Sequence, residues 1–258
     1  MNRIKEHTTN QLSLQPKIPG VTIVTCCMNR NDNLKKALKS WLALTEVHEI
    51  IIVDWSSQIS VKKTIPHHEK IKIVEVANQK EWILSRAFNL GVCFVSTDKM
   101  LKLDADIILA ENFLKKHKLV KNMFYHGTWK TAKSFDQIHL HGQLYCFTDD
   151  FWNVNGYNEQ ITSYGWDDDD LYKRLAEIGT RELYFNSSKM FHLHTSNKKR
   201  VESQSMFDNK IIDHDLLMES RNKNKENCEI HPWTKSKERI NYSVNSISER
   251  HFLCERIV

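Results

Sequence analysis

Two aspartates separated by one residue, Asp104 and Asp106, follow an apolar stretch of the chain. Alternate residues of an extended segment point to the same side, so these two carboxylates can converge on one divalent cation or on the water around it. Mg²⁺ and Mn²⁺ commonly bridge protein carboxylates to the phosphates of a substrate. We therefore expect a metal and phosphate site here, although a loop or helix cap with two solvated aspartates would give the same pattern.

A second acidic segment begins at Gly165-Trp166 and continues with four aspartates, Asp167 to Asp170. Acidic residues at the start of a helix are stabilised by the helix dipole and free N–H groups, by about 0.3–1 kcal/mol each. One or two would satisfy those groups, whereas four repel one another. We therefore expect a ligand, a metal or a proton to neutralise one of them, and a carboxylate beside an acceptor hydroxyl can act as a general base.

Two further segments have residue types suited to the same chemistry. His192 and His194 would share one face of a strand, and imidazole together with carboxylates suits Mn²⁺ better than Mg²⁺ or Ca²⁺. By itself such a pair is more often a surface or core feature. Within residues 79–91, Lys80 and Arg86 can contact a diphosphate or simply form the basic face of a helix.

Strand and helix patterns alternate along the chain and must position these residues. Strands are predicted at 21–27, 49–54, 71–76, 100–104, 181–185 and 189–194, and helices at 31–42, 83–95, 112–120 and 167–178. The order predicts βαβ crossovers and a mostly parallel α/β sheet flanked by helices. Ligands of such sheets bind at the carboxyl ends of the strands, which selects residues 29–30, 54–55 and 104–106.

Composition and charge narrow the class of protein. The 258 residues are 40% hydrophobic with a net charge of +5, and the basic stretches lack interleaved aromatic residues, so we expect no nucleic-acid partner. The sequence contains no apolar run of about 18 residues and no secretory signal, so we expect a cytoplasmic protein. It also lacks CxxC spacing, so we expect no disulfides. We divide the chain into a polar leader (1–19), a catalytic domain (20–197) and a basic, helical extension (198–258), whose charge suggests peripheral association with the inner membrane face.

In combination the motifs resemble the glycosyltransferase A fold (GT-A), specifically glycosyltransferase family 2, and the later half is similar to the family 7 galactosyltransferases of animals. The resemblance covers residues 21–197. It rests on Asn29-Arg30-Asn31, Ile52-Val53-Asp54, Asp104-Ala105-Asp106, the segment from Gly142 to Gly156-Tyr157-Asn158-Glu159, Gly165-Trp166-Asp167-Asp168-Asp169-Asp170-Leu171, and His194-Thr195-Ser196-Asn197-Lys198-Lys199.

The resemblance implies a role for each of these positions. Arg30 and Asp54 would bind the nucleoside of UDP, and Asp104 the ribose or donor sugar. Asp106 would coordinate Mn²⁺ (with Mg²⁺ as the alternative), together with His194 or else His192. Asp168 would be the catalytic base, Asp167 would contact the donor sugar or the acceptor, and Gly142 and Trp166 would line the acceptor site. Two positions depart from the family pattern: Asp167 replaces a glutamate, and Trp55 follows Asp54 where an acidic or small residue is usual.

The sequence thus predicts an inverting, metal-dependent glycosyltransferase. It would move a sugar from a UDP-sugar to a hydroxyl of a saccharide or lipid-linked saccharide, in bacterial surface polysaccharide or glycoconjugate synthesis. A non-catalytic nucleotide-sugar-binding module is one alternative. A nucleotidyltransferase is a weaker one, because residues 27–30 after the first strand contain no glycine for a phosphate loop.

Overall fold

The computed structural model describes residues 7–130, 132–194 and 214–257. Its strands are β1 (His7–Thr8), β2 (Ile18–Cys27), β3 (Val47–Trp55), β4 (Ile71–Val76), β5 (Thr97–Lys102), β6 (Ile107–Leu109), β7 (Met123–His126), β8 (Leu144–Phe147), β9 (Arg181–Tyr184), β10 (Met190–His192), β11 (Tyr242–Ser248) and β12 (His251–Arg256). Ten of them form one sheet in the order β1-β11-β12-β4-β3-β2-β5-β8-β7-β9, and β10 pairs with β6 in a second, two-stranded sheet.

The helices are α1 (Thr9–Ser13), α2 (Asn31–Leu42), α3 (Val61–Thr64), α4 (Leu84–Cys93), α5 (Phe113–Lys116), α6 (Phe135–Ile138), α7 (Thr148–Asn153) and α8 (Asp167–Glu177), followed by the C-terminal helix (His214–Ile230). A short 3-10 helix spans Ser187–Lys189. Helix α2 buries Leu34, Ala37, Leu38 and Trp41, whose spacing places them on one face.

The centre of the sheet is parallel, as the alternating pattern predicts. Strands β4, β3, β2 and β5 lie side by side and all run in the same direction. Their residues are buried on both faces, between one apolar cluster that includes α4 and another that includes α2. The carboxyl ends of β3, β2 and β5 therefore meet at one edge, where the sequence analysis places its three polar segments.

The later half adds antiparallel strands, so the complete sheet is mixed. Strand β8 pairs antiparallel with both β5 and β7, and β9 then pairs parallel with β7. The helix expected at 112–120 is shorter, because the backbone leaves helical geometry at His117 (φ −114°, ψ 66°). The strand expected at 189–194 is confirmed as β10, with the shorter bounds given above.

Both ends of the described chain join the sheet. Strand β12 pairs parallel with β4, β11 pairs with β12, and the short β1 pairs with β11. The described part of the segment expected as a helical extension, residues 214–257, thus contains a helix followed by a hairpin. None of the described helices has the length and apolar character needed to cross a membrane. Cys26 and Cys27 are buried, and the six cysteines are free thiols.

Candidate active site

The first part of the site is a cluster of charged side chains beyond the ends of β2 and β5. Asp106 is buried, and its Oδ2 atom lies 3.1 Å from Nη1 of Arg30 and 3.4 Å from Nε2 of His192. Arg30 follows β2, Asp106 follows β5, and His192 ends β10. The antiparallel pairing of β10 with β6 places His192 opposite Ile107, and the Leu193 amide donates to the Asp106 carbonyl at 2.7 Å.

This geometry fits a divalent cation. Two atoms that coordinate one ion at about 2.1 Å and roughly at right angles lie about 3 Å apart, which is close to the separation of Asp106 Oδ2 and His192 Nε2. The Nδ1 atom of His192 is buried without a hydrogen-bond partner among the described residues, so a neutral ring can turn its Nε2 lone pair towards an ion. A carboxylate with an imidazole is a donor set suited to Mn²⁺.

The two candidate histidines differ in their surroundings. His192 is partly buried and its ring stacks on that of His139, with 4.7 Å between centroids, whereas His194 is exposed. Within the described ranges, no three His, Cys, Asp or Glu side chains are gathered as a complete metal site. An ion held here would therefore take its remaining ligands from other groups, such as the oxygens of a bound diphosphate.

Asp54 shapes the loop that follows β3. Its Oδ1 accepts from the Ser57 amide at 3.0 Å and its Oδ2 from the Val61 amide at 2.8 Å. Burial raises the pKa of Asp54 against the effect of these hydrogen bonds. The same loop contacts the end of β2, since Ser57 Oγ accepts from the Asn29 amide at 3.1 Å. A nucleoside in contact with Asp54 would share its oxygens with these amides.

Arg86 lies in the first turn of α4, near enough to Glu159 and Tyr242 to interact with both electrostatically. Its Nε atom is buried without a hydrogen-bond partner among the described residues, so it keeps a donor for a ligand. The structure shows no direct contact between Arg86 and the Asp106 cluster within the described chain. Its contact with the diphosphate thus stays a prediction.

The second part of the site is centred on Lys102, the last residue of β5. Its ammonium lies 3.1 Å from Asp104 Oδ1 and 3.5 Å from Asp168 Oδ1, and it also donates to the Gly142 carbonyl. Gln143 completes the support of Asp104, donating from Nε2 to its Oδ2 at 2.7 Å. Asp104, from the segment Asp104-Ala105-Asp106, and Asp168, from the acidic cluster Asp167 to Asp170, are therefore neighbours.

Asp168 has a second donor in Tyr157, whose hydroxyl lies 2.8 Å from Asp168 Oδ1. The backbone of Tyr157 is held from both sides by Asn89 of α4, which accepts from its amide at 2.8 Å and donates to its carbonyl at 2.9 Å. Gly142 closes the other side of Asp168. A Cβ atom built on Gly142 would lie 2.9 Å from Asp168 Oδ2.

The remaining aspartates of the cluster have separate partners. Asp170 pairs with Arg174 one turn along α8, with 2.6 Å between Oδ2 and Nη2, in a buried contact that also satisfies backbone carbonyls. Asp169 contacts His141 at 3.3 Å and Arg221 of the C-terminal helix at 3.0 Å. Burial opposes ionisation of Asp169, but these two contacts outweigh it and hold its pKa below the ordinary value.

Asp167 makes no ion pair within the described chain, and it accepts a hydrogen bond from the Asp168 amide at 3.0 Å. Burial and then the neighbouring Asp168 carboxylate raise the pKa of Asp167 to about 7. The repulsion expected among four aspartates is thus relieved by cations at three of them and by partial protonation of the other.

Trp166 lies between this cluster and the C-terminal helix. It begins α8 in a left-handed conformation (φ 71°), and its ring faces the guanidinium of Arg221 at 4.7 Å and the ammonium of Lys225 at 5.4 Å. Asn224 donates to the Gly165 carbonyl at 2.8 Å. The C-terminal helix therefore holds the Gly-Trp turn in place.

The sequence reasoning missed Lys102, Tyr157 and Arg221. Lys102 had a recognisable signal, because it interrupts the apolar run of residues 100–103. Tyr157 belongs to the quoted segment 156–159, but nothing in the sequence indicates that its hydroxyl reaches Asp168. Arg221 lies 52 residues from Asp169, so only the folded chain brings the pair together.

Comparisons with known proteins match two consecutive segments of the chain. The model for glycosyl transferase family 2 matches residues 22–128, and the model described as the N-terminal domain of galactosyltransferase matches residues 130–197. The first match contains the Asp106 segment, and the second contains Gly142, the acidic cluster and both candidate histidines. No curated protein matches the chain.

Solved structures share the fold at low sequence identity. A mutant of Drosophila β1,4-galactosyltransferase 7 in complex with manganese, UDP-Gal and xylobiose is 13% identical, with a TM-score of 0.57 over 93% of this chain and 94% of that one. The catalytic domain of the Drosophila enzyme with xylobiose gives a TM-score of 0.58 at 12% identity, over the same shares of the two chains.

A mannosyltransferase from Pyrobaculum calidifontis in complex with GDP-Man and Mn²⁺ is 15% identical, with a TM-score of 0.51 over 68% of this chain and 59% of that one. The fold, the two matching family models and the arrangement of carboxylates at the sheet edge lead to one conclusion. The chain is a glycosyltransferase of the GT-A fold, and its two halves match the family 2 model and the galactosyltransferase model in turn.

Proposed function

We propose that the protein transfers a sugar from a UDP-sugar to a hydroxyl of a saccharide acceptor, with inversion at the anomeric carbon and with Mn²⁺ as its cofactor. Mg²⁺ is the alternative cation. The observation that carries the proposal is the 3.4 Å separation of the buried Asp106 carboxylate and His192 Nε2, at the sheet edge where ligands of this topology bind.

The choice of nucleotide rests on likeness to other proteins. The Drosophila galactosyltransferase structure, which contains UDP-Gal and manganese, aligns over 93% of this chain, whereas the GDP-Man complex aligns over 68%. The match to the galactosyltransferase model favours UDP in the same way. On this proposal Arg30 and Asp54 contact the nucleoside, Arg86 the diphosphate, and Asp104 the ribose or the donor sugar.

The metal would be held by Asp106 with His192, and His194 is the second candidate for the imidazole ligand. A cation bound there supplies positive charge to the diphosphate as it leaves. Arg30, whose Nη2 is buried without a partner among the described residues, adds a fixed positive charge beside the same group. In the metal-free chain Arg30 and His192 both face Asp106, which keeps this buried carboxylate paired.

Asp168 is the proposed general base. It takes the proton of the acceptor hydroxyl while the hydroxyl oxygen bonds to the anomeric carbon, and the bond from that carbon to the diphosphate oxygen breaks with its electrons leaving on UDP. Attack from the face opposite the leaving group inverts the configuration, through a transition state with oxocarbenium character as in glycoside hydrolysis. Asp167 contacts the donor sugar or the acceptor, and Trp166 with Gly142 lines the acceptor side.

We infer that the acceptor is a free or lipid-linked saccharide of bacterial surface polysaccharide or glycoconjugate synthesis. The protein would work in the cytoplasm, where its positive charge supports peripheral contact with the inner membrane face. Two tests address these inferences: the anomeric configuration of the product by NMR, and sedimentation with vesicles that contain anionic lipid.

The decisive experiment is a screen of UDP-sugars that measures UDP release in the presence of Mn²⁺, with and without saccharide acceptors. Release that depends on both an acceptor and the metal, and that is lost in Asp168→Asn, supports the proposal. Metal-dependent UDP binding without consumption of any donor would instead indicate a nucleotide-sugar-binding module. Turnover by Asp168→Asn at the wild-type rate would refute the assignment of the base.

A further inference from the structure

Lys102 is a fully buried lysine that no step of the proposed reaction uses. It ends β5, and its side chain has no solvent exposure. Its ammonium contacts the Asp104 carboxylate at 3.1 Å, the Asp168 carboxylate at 3.5 Å and the Gly142 carbonyl, and it lies 4.5 Å from the centroid of the Phe88 ring. Every polar contact of this lysine thus belongs to the candidate site.

A buried ammonium costs several kcal/mol of desolvation unless partners compensate for it. Burial by itself would lower the pKa of Lys102, but the carboxylates of Asp104 and then Asp168 outweigh it, so the pKa lies above the ordinary value. The lysine is therefore charged at every pH at which the enzyme would work. An apolar residue would fill the same place at the end of β5 without this cost, so stability alone does not account for a lysine there.

The groups around Asp168 indicate how the positive charge of Lys102 acts on this carboxylate. Asp167 and Asp169 are adjacent in sequence, and Asp104 lies on the far side of Lys102, so three acidic groups oppose a negative charge on Asp168. Tyr157 donates a hydrogen bond to it, and the titratable groups Tyr172 and His141 lie near enough to interact with it electrostatically. Among the described residues in contact with Asp168, Lys102 is the one with a permanent positive charge.

We propose that Lys102 is a positioning residue for the transfer reaction, whose ammonium faces the Asp168 carboxylate, fixes it beside Gly142 and connects it to Asp104 on the donor side. The inference rests on the proposed function, since it assigns a role through the general base. Lys102 touches neither substrate, and it acts by the charge and direction that it gives to Asp168.

The test is the pH dependence of kcat/KM for Lys102→Met, a change that shortens the side chain by one atom and removes its charge. Without the cation, Asp168 needs a higher pH to ionise, so the acid limb of the profile moves up by about 1–3 pH units. At about pH 7 the variant loses at least about 10-fold in kcat/KM, and it recovers as the pH rises. The affinity for UDP with Mn²⁺ changes little, which shows that the variant is folded.

Two further variants are compared with Lys102→Met, one as a control and one that removes the other hydrogen-bond donor to Asp168. Lys99→Met removes a lysine from the same strand that pairs with the half-buried Asp98, and it should keep the wild-type profile. Tyr157→Phe removes the other donor to Asp168, and it should shift the acid limb in the same direction by a smaller amount. If Lys102→Met does not fold, Asp104→Asn is compared with Asp104→Asn/Lys102→Met, because the double variant removes one charge of each sign.

The outcomes separate the inference from the proposed function. If the wild type consumes no UDP-sugar, the proposed function has failed before Lys102 is tested. If the wild type is active and removal of Lys102 lowers the rate equally at all pH values, the lysine is only a packing residue and the inference is wrong. An upward shift of the acid limb with UDP affinity retained is the result that the inference requires.

Discussion

Gly142→Ala is the change that most directly probes the packing around the proposed base. The added Cβ would lie 2.9 Å from Asp168 Oδ2, 3.2 Å from Lys102 Nζ and 3.4 Å from Asp104 Oδ2. Only the last of these is an ordinary contact distance, so the Asp168 carboxylate has to move by roughly 0.5 Å to reach normal van der Waals separation. The added methyl group thus displaces the Asp168 carboxylate without changing any charge.

The expected effect follows from the sensitivity of catalysis to position. A misplacement of about 1 Å in a catalytic group can reduce the rate about 100-fold, so half of that displacement should lower kcat about 10-fold, or about 1.4 kcal/mol in the activation free energy. Steady-state UDP release measures kcat. Calorimetry with UDP and Mn²⁺ should show nearly unchanged affinity, because the Asp106 cluster is not in contact with Gly142.

Gly179→Ala provides the matched control. Gly179 has φ +86° and open space around its Cβ position, so alanine there strains the backbone and meets no atom of the site. We expect Gly179→Ala to lower Tm and keep kcat, and Gly142→Ala to lower kcat with a smaller change in Tm. Wild-type kcat in folded Gly142→Ala would refute the placement of the base against this glycine.

Two further predictions concern the metal and the acidic cluster. His192→Ala should weaken Mn²⁺-dependent UDP binding about 10-fold or more in calorimetry, and His194→Ala should have the smaller effect; the reverse order would make His194 the ligand. Asp167→Asn should raise Tm above about pH 7, and this advantage should shrink towards about pH 4. The sign follows because folding raises the pKa of Asp167 to about 7 from its ordinary value of 3.8, so the folded state binds the proton more tightly and ionisation between these values costs stability. Equal Tm values for Asp167→Asn and wild type across this range would refute the raised pKa.

The central strands and helices could be predicted from sequence because their signals are local. The run at 71–76 matches β4 residue for residue, and the helical spacing at 31–42 matches α2. The convergence of residues 30 and 106 also follows from the sequence, since parallel neighbouring strands bring their carboxyl ends together. The Arg30–Asp106 contact is the physical result of that rule.

The pairing of strands in the folded chain determines which side chains meet in the site, and the sequence alone does not predict that pairing. Alternation in a strand places His192 and His194 on one face, but only the pairing of His192 with Ile107 shows which ring lies beside Asp106. Four consecutive aspartates look equivalent in the sequence. Their partners come from β5, the Tyr157 segment, His141, α8 itself and the C-terminal helix, so their different charge states emerge only when these elements assemble.

The position of Asp54 illustrates a further limit. The sequence and the family resemblance predict a nucleoside contact, and the residue does lie at the expected strand end. Its two oxygens also accept loop amides at 3.0 and 2.8 Å, a use that depends on the conformation of residues 57–61. A side chain can serve both purposes, and the resemblance reveals only one of them.

The measurement that tests the account most directly is the binding of UDP to wild type and to Asp106→Asn by calorimetry, with Mn²⁺ present and after its removal with a chelator. The account predicts that wild type binds UDP tightly only with Mn²⁺, and that Asp106→Asn loses most of this dependence on the metal. Equal UDP affinity of wild type with and without Mn²⁺, or full metal dependence in Asp106→Asn, would contradict it.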